Sequence, residues 1–183
     1  WKRGNGGWEV NRTITRLAEE EKIFPPIVVA ISSTLNRAGD YLPAKAIDAK
    51  NPPASSASNT LNGQRQTREL VSDRYLEWMV TTLKPAIDAR YRTLRDAQNT
   101  ALMGSSMGGL ISLYAYCEYP EIYGKAACLS THWTALGSGM LAYLEAHLPP
   151  PDQHRLYFDY GSEGLDKDCE PWQTKVDALL RQK

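Results

Sequence analysis

The stretch Asn99-Thr-Ala-Leu-Met-Gly-Ser-Ser-Met-Gly-Gly-Leu-Ile-Ser-Leu-Tyr114 joins a short apolar run to a longer one with a different spacing. Residues 101–103 are continuously apolar, as in a strand, whereas from residue 110 to residue 117 apolar side chains recur every three or four positions, as in a helix. A Gly-x-Ser-x-Gly pattern at residues 104–108 separates the two runs. The stretch therefore predicts a strand, a very tight turn and a helix.

The Gly-x-Ser-x-Gly pattern is typical of the nucleophile elbow, a turn that lifts a serine hydroxyl above the end of a sheet. We expect Gly104 and Gly108 because a side chain at either position would collide where strand and helix pass each other. We also expect a strained backbone at Ser106. The amide of Met107 would donate to an oxyanion from the positive end of the helix. Ser106 is thus the predicted nucleophile and Met107 the predicted oxyanion donor; the alternative is a purely structural turn.

The longer string Gly104-Ser-Ser-Met-Gly-Gly-Leu110, with Tyr119-Pro120 after it, resembles the Putative esterase family of α/β-hydrolases, which includes enterochelin-esterase-like and feruloyl-esterase-like enzymes. The resemblance covers nearly the whole chain and is sharp at 104–110. It implies an α/β-hydrolase-like three-layer fold with a mainly parallel sheet, of which this chain resembles the central part. It also implies a serine carboxylic-ester hydrolase that forms an acyl-enzyme and needs no metal or organic cofactor.

The remaining segments alternate between helix-like and strand-like patterns, which predicts an α/β protein in one domain, residues 1–183. The β-branched run Ile27–Ile31 predicts a buried parallel strand. The Pro- and Ser-rich residues 48–64 predict a mobile surface loop, and Pro85 is expected to break or kink the helix before it. Predicted helices cover residues 8–21, 67–83, 139–147 and 171–181, and predicted strands cover residues 27–31, 101–103, 125–131 and 155–160.

Composition narrows the choice of partners. The 21 basic and 21 acidic residues cancel, so no nucleic acid or anionic membrane is expected as a partner. A small-molecule ester is the expected ligand, and sheet edges left uncovered would let the chain pair with itself as a homo-oligomer. The three cysteines have no CxxC spacing and are expected to be buried. The sequence does not determine the cellular compartment, although the cytoplasm is slightly favoured.

A serine nucleophile needs a base and a carboxylate that orients the base, in the chain order serine, acid, histidine. The acid is expected in the turn after the predicted strand 155–160. Members of the resembling family place an Asp or Glu after a Gly-Thr or Gly-Ser there, which favours Glu163 and leaves Asp166 as a close second. Either carboxylate could instead be a solvated turn residue.

The histidines do not follow that order, because His132, His147 and His154 all precede the predicted acid. His147 and His154 have the context of surface residues, whereas His132 is positioned to line the pocket. The resembling family keeps its histidine near its carboxyl terminus, so the base is expected outside this sequence. The chain begins at Trp1 without a Met, and an upstream part carrying the second oxyanion amide is expected as well.

Two further residues are predicted to contact substrate. Trp133 lies where relatives have an aromatic residue, so it is expected either to stack on substrate or to be a core tryptophan with its N–H bonded. The order Arg37, Asp40, Tyr41, Pro43 also matches the resembling family. Arg37 is therefore expected to contact substrate or to form an ion pair that pins its loop.

Three functions remain compatible with these residues. A serine ester hydrolase and an acyltransferase of the same fold would share the acyl-enzyme and differ only in the acceptor. A non-catalytic binding module would keep the turn at Ser106 as structure, and the missing downstream histidine motivates this alternative.

Overall fold

A computed structural model describes residues 9–47, 59–61, 64–66 and 69–183 of the chain. These residues belong to two compact units, Trp1–Ser32 and Ser33–Lys183. The one-domain organisation stays a prediction. None of the helices in the described ranges combines the length and apolarity needed to cross a bilayer.

Helices and strands alternate along most of the chain. The helices are α1 (Val10–Glu19), α2 (Arg37–Tyr41), α3 (Ser72–Trp78), α4 (Lys84–Arg90), α5 (Met107–Glu118), α6 (Ser138–His147) and α7 (Glu170–Leu180). The strands are β1 (Asn59–Leu61), β2 (Gln64–Gln66), β3 (Ala101–Ser105), β4 (Lys125–Leu129) and β5 (Arg155–Asp159). Short 3-10 helices cover Ala44–Ala46, Ala97–Asn99, Trp133–Ala135 and Gly164–Asp168.

The first unit contains α1, within the helix predicted at residues 8–21, and the ion pair between Arg16 and Glu20 spans its last turn at 3.2 Å. The strand predicted at Ile27–Ile31 is wrong: these residues have no regular secondary structure, and Val28 is 51% exposed. A β-branched run fits a strand, but a strand forms only where a neighbour accepts its backbone hydrogen bonds. Among the described residues no strand pairs with this run.

The second unit is built on a parallel sheet in the order β3-β4-β5, which confirms the α/β fold class. Helix α5 packs against β3 and β4. Inward-facing Ala126 and Cys128 of β4 are buried, whereas Met103 and Tyr157 on the outer strands are each 57% exposed. Because parallel strands all end at one edge, the residues that follow β3, β4 and β5 meet there.

Helix α5 is fixed by buried side chains and by polar contacts at its flanks. Leu110, Leu113 and Tyr114 are fully buried, and burial of such side chains contributes about 1.5–3 kcal/mol each. The Tyr114 hydroxyl donates to Asp73 at 2.5 Å, and Glu118 accepts from Tyr143 at 2.5 Å and pairs with Lys45. These contacts fix the helix relative to its neighbours and so set the position of its first turn.

The cysteines confirm the expectation of buried thiols. Cys117, Cys128 and Cys169 are free and buried, and burial raises the pKa of the Cys117 thiol to about 12. A thiol held neutral in this way is a poor nucleophile and a poor metal ligand.

Part of the predicted loop at residues 48–64 is a hairpin. Residues 48–58 lie outside the described part of the chain, but β1 and β2 pair antiparallel, with Asn59 opposite Gln66 and Leu61 opposite Gln64. The residues between the strands are Asn62-Gly63, and an Asn-Gly dipeptide is the strongest short-range signal for a hairpin turn. The prediction of a loop was wrong at 59–61 and 64 because it rested on composition alone, whereas the Asn-Gly dipeptide is the local signal that favours a hairpin.

Pro85 distorts the helical run without ending it. A π-helical turn, Met79–Leu83, connects α3 to α4, and Pro85 lies in the first turn of α4, so the backbone stays helical from Ser72 to Arg90. Proline lacks an amide hydrogen and crowds the preceding turn, and a wider π turn accommodates both effects.

The two glycines of the Gly-x-Ser-x-Gly pattern differ in their surroundings. A Cβ added at Gly104 would lie 2.2 Å from the carbonyl oxygen of Gly108, so the predicted collision is confirmed there. A Cβ added at Gly108 would meet no atom within 4 Å, so the collision predicted at that position is wrong. The strand approaches the helix backbone at Gly108, and only the strand residue must lack a side chain.

This difference gives a matched pair of variants. Gly104→Ala should destabilise the protein by about 2 kcal/mol or more, because the backbone must move to relieve the clash. Gly108→Ala should leave stability unchanged or raise it by up to about 1 kcal/mol, because alanine is the better helix former. Urea unfolding followed by circular dichroism measures both. Equal effects of the two substitutions would contradict the described packing.

Candidate active site

Ser106 links β3 to α5 with a backbone conformation that is rare for a residue other than glycine. Its φ is 59° and its ψ is −121°, which costs on the order of 1–3 kcal/mol. Its N–H donates to Leu129 O at 2.9 Å, and its carbonyl accepts from the amides of Gly109 and Leu110 at 3.0 and 3.3 Å and of His132 at 3.2 Å. The residue is therefore held from β4 as well as from its own helix.

The Ser106 side chain is not used to cap the helix. The structure shows no side-chain cap hydrogen bond at the start of α5, although serine is a favoured capping residue. Within the described ranges, no imidazole nitrogen hydrogen-bonds to Ser106 Oγ. Ser106 as a residue is half-buried, and its hydroxyl is left available for another partner.

Met107, the predicted oxyanion donor, is the first residue of α5. A first-turn amide has no carbonyl partner within its own helix, and it lies at the positive end of the helix dipole. The Met107 side chain is buried, and its Sδ lies 3.5 Å from Arg37 Nη1. Arg37 is therefore brought to the first turn of α5.

His132 also contacts the Ser106 backbone. Its backbone N–H donates to the Ser106 carbonyl, and its pKa is lowered from the ordinary 6.5 by burial and, secondly, by the positive charge of Arg37. The structure thus groups four of the predicted site residues around one turn: Ser106, Met107, Arg37 and His132.

The two candidate carboxylates lie in different environments. Asp166 is half-buried, and its Oδ2 accepts from the Ser130 hydroxyl and from the Gly161 amide, each at 2.8 Å. Glu163 is exposed, and its backbone carbonyl accepts from the Asp166 amide at 3.2 Å. The structure therefore fixes Asp166 beside the segment that follows β4 and leaves the Glu163 side chain at the surface. Which of the two orients the base stays a prediction.

Trp133 is enclosed in the unit. It is 3% exposed, its indole N–H donates to Gln173 Oε1 at 3.2 Å, and its ring centroid lies 5.9 Å from that of Phe158. This is the geometry of the core alternative, in which α7 holds the ring. A stacking contact between Trp133 and substrate would need these contacts to open.

Sequence reasoning missed the residues that connect the site. Ser130 follows β4, has a φ of 42°, and donates its hydroxyl to Asp166. Thr131 packs its hydroxyl against Gly109, where an added Cβ would lie 2.8 Å from the Thr131 Oγ1. The signal was present, because residues 130–132 follow a strand at its carboxyl end, where polar residues collect around a site.

A cavity of about 660 Å³ lies away from this cluster. Its walls come from residues that precede β3, β4 and β5, among them Asn99, Glu121 and His154. The amino ends of parallel strands are at the opposite edge of the sheet from Ser106. The cavity is therefore separate from the candidate site.

A parallel α/β sheet with a serine in this turn between strand and helix defines an α/β-hydrolase-like protein. The family model described as Putative esterase matches residues 5–183. The chain belongs to that family.

The chain is also similar to individual proteins. The uncharacterized protein YbbA of Bacillus subtilis (strain 168) is 24% identical over 146 residues, which are 80% of this chain and 53% of YbbA. An IroE-like serine hydrolase from Shewanella oneidensis matches with a TM-score of 0.57 and 22% identity over 82% of this chain and 48% of its own. An enterochelin esterase from Shigella flexneri matches with a TM-score of 0.53 and 17% identity over 91% of this chain and 44% of its own. The chain thus spans about half the length of these relatives, and the two structures show the shared fold.

The contact between Arg37 and the site predicts a change in titration. Arg37→Gln should raise the pKa of His132 while leaving it below 6.5, because the charge is removed and the burial remains. Because the pKa of His132 is lower in the folded parent than in the unfolded chain, the unfolded chain binds the imidazole proton more readily. The free energy of unfolding therefore decreases as pH falls below about 6.5. Titration of the imidazole signals by NMR measures the pKa.

Arg74, an exposed arginine that pairs with Glu69 at 3.8 Å, provides the control. Arg74→Gln should leave the His132 pKa at its parental value. An unchanged pKa in Arg37→Gln would contradict the described geometry.

Proposed function

We propose that the chain carries the nucleophile of a serine carboxylic-ester hydrolase, with Ser106 in that role. One observation carries the proposal: Ser106 adopts a positive φ between β3 and α5, and its side chain caps no helix amide. Strain is retained where the surrounding structure enforces it, and such positions cluster at functional sites. Membership of the Putative esterase family supports the same role.

The proposed reaction has two steps. Ser106 Oγ bonds to the ester carbonyl carbon as its proton passes to a base, and the amide of Met107 donates to the oxyanion. The bond to the leaving alcohol then breaks, and the alcohol takes the proton from the base. In the second step water attacks the acyl-enzyme and releases the acid and free Ser106. An acyltransferase would use an alcohol in place of water, and product analysis separates the two.

We propose Asp166 rather than Glu163 as the carboxylate that orients the base, because it is held by Ser130 and Gly161 at the edge where Ser106 lies. The base itself is proposed to lie outside these residues. The rings of His147 and His154 contact backbone carbonyls of Tyr143, Pro150 and Pro120.

Replacing Ser106 tests the central role. In the full-length protein, Ser106→Ala should lower kcat/KM for 4-nitrophenyl acetate by about 10³-fold or more, because the covalent route is lost. Ser105→Ala, one position earlier on β3, is the matched control and should retain turnover. Equal rates for the parent and Ser106→Ala would contradict the proposal.

The two carboxylates are separated by a second pair of variants. Asp166→Asn should lower kcat by about 10²- to 10⁴-fold, as expected when the group that orients a base loses its charge. Glu163→Gln should leave kcat close to the parental value, because its side chain is exposed. The reverse order of effects would assign the role to Glu163.

A non-catalytic binding module is the second candidate. It is favoured by the absence, among the described residues, of an imidazole hydrogen-bonded to Ser106 Oγ. A full-length protein that turns over no ester but binds one at this edge would support it. Turnover that depends on His132 would instead assign the base within this chain.

A further inference from the structure

Arg37 presents a positive charge at the first turn of α5 that no carboxylate of the described residues neutralises. Its guanidinium contacts the Met107 Sδ at 3.5 Å and lies over the Tyr41 ring, with its central carbon 5.6 Å from the ring centroid. Thioether sulfur is a weak acceptor, and a guanidinium has five N–H donors. The Arg37 side chain is exposed, so donors that Met107 does not occupy remain accessible to a ligand near the first turn of α5.

The ion pair that sequence analysis offered as an alternative is not formed. Asp40 is 2% exposed, and its Oδ2 accepts from the Thr34 amide at 2.7 Å, six residues back in the same loop. The Asp40 carboxylate therefore binds the backbone just before α2 and is not bound to Arg37. The hydrogen bond between Thr34 and Asp40 does not involve the Arg37 charge.

Helix α2, which begins at Arg37, is held at several points. The Asn36 side-chain amide donates to Glu69 O at 2.8 Å, and the Val71 amide donates to Gly39 O at 3.0 Å. Gly39 is packed so closely that an added Cβ would lie 2.3 Å from Glu69 O. The backbone that carries the cation is thus fixed, which lowers the entropic cost of binding a partner.

The Arg37 charge also acts on His132. Arg37 contributes to lowering the pKa of His132, whose backbone holds the Ser106 carbonyl. Together with the positive end of α5, the guanidinium gives the space around Ser106 a positive potential. No acidic side chain among the described residues contacts Arg37 or the His132 ring.

We infer that Arg37 binds a carboxylate of the substrate, so that the preferred substrates are esters bearing a free carboxylate close to the scissile bond. This inference rests on the proposed role of Ser106 and adds the substrate class to it. A guanidinium matches a carboxylate with two parallel hydrogen bonds, and a charge-assisted hydrogen bond is the stronger kind. Arg37 is thus a specificity-determining residue.

Two 4-nitrophenyl esters of one dicarboxylic acid, one anionic and one neutral, provide the test. The full-length protein is assayed with 4-nitrophenyl hydrogen adipate, whose free carboxylate is poorly placed to attack its own ester, and with the neutral methyl ester of that compound. Arg37→Gln should lower kcat/KM for the anionic ester by about 10- to 100-fold and leave the neutral ester much less affected. Arg37→Lys should recover part of the loss, and the control Arg74→Gln should change neither value.

The outcomes separate this inference from the role of Ser106. If hydrolysis of both esters survives Ser106→Ala, the proposed nucleophile is wrong. If hydrolysis depends on Ser106 but Arg37→Gln lowers both esters equally or neither, the role of Arg37 in binding a carboxylate is wrong.

A binding measurement gives a readout that does not need turnover. Succinate added to the Ser106→Ala protein should produce saturable shifts of the His132 imidazole signals in NMR spectra. The same titration should produce none when Arg37→Gln is added to that variant. Absence of a saturable shift with Arg37 present would overturn the inference.

Discussion

The hydrogen bonds on the backbone of Ser106 are the constraint on which the site depends. Its amide continues the β3–β4 ladder to Leu129, its carbonyl accepts from His132, and both partners belong to β4 or the residues directly after it. Each such bond contributes about 0.5–1.5 kcal/mol, enough together to offset a positive φ. The unusual turn is therefore a consequence of parallel strand pairing with Ser105 opposite Leu129.

The segment after β4 carries this constraint to the rest of the site. Ser130 binds Asp166, Thr131 packs its hydroxyl against Gly109, and the Thr131 carbonyl accepts from the Trp133 amide at 2.7 Å. Because one short segment contacts the turn at Ser106, the loop of Asp166 and the buried Trp133, a displacement of β4 would disturb all three. Arg37, the first residue of α2, supplies positive charge to the same edge.

Much of the fold could be predicted from the sequence where local pattern and tertiary pairing agree. The strand, turn and helix around Ser106 and the parallel order of the later strands follow from apolar spacing and glycine placement. The prediction of a strand at Ile27–Ile31 was wrong because a strand needs a neighbouring strand to accept its backbone hydrogen bonds, and side-chain propensity gives no information about that neighbour. The prediction of a collision at Gly108 was wrong because the sequence indicates that two backbones approach closely but does not indicate which residue must lack a side chain.

The site was predictable as a set of residues and less so as a set of contacts. Ser106, Met107, Arg37 and His132 were named from the sequence, and the structure gathers them at one edge. That Asp166 rather than Glu163 is held there depends on the Ser130 hydroxyl and the Gly161 amide, which are distant in the chain or invisible to residue patterns. Burial of Trp133 likewise depends on Gln173, 40 residues later.

Covalent trapping of the nucleophile tests the central claim most directly. The full-length protein is treated with a fluorophosphonate, digested with trypsin, and the modified peptide is sequenced by fragment-ion mass spectrometry. The account predicts one modification, at Ser106, within the peptide from Asp96 to Lys125, which also contains Ser105 and Ser112. A protein that takes up no label, or that carries it on a different serine, would contradict the assignment of Ser106 as the nucleophile.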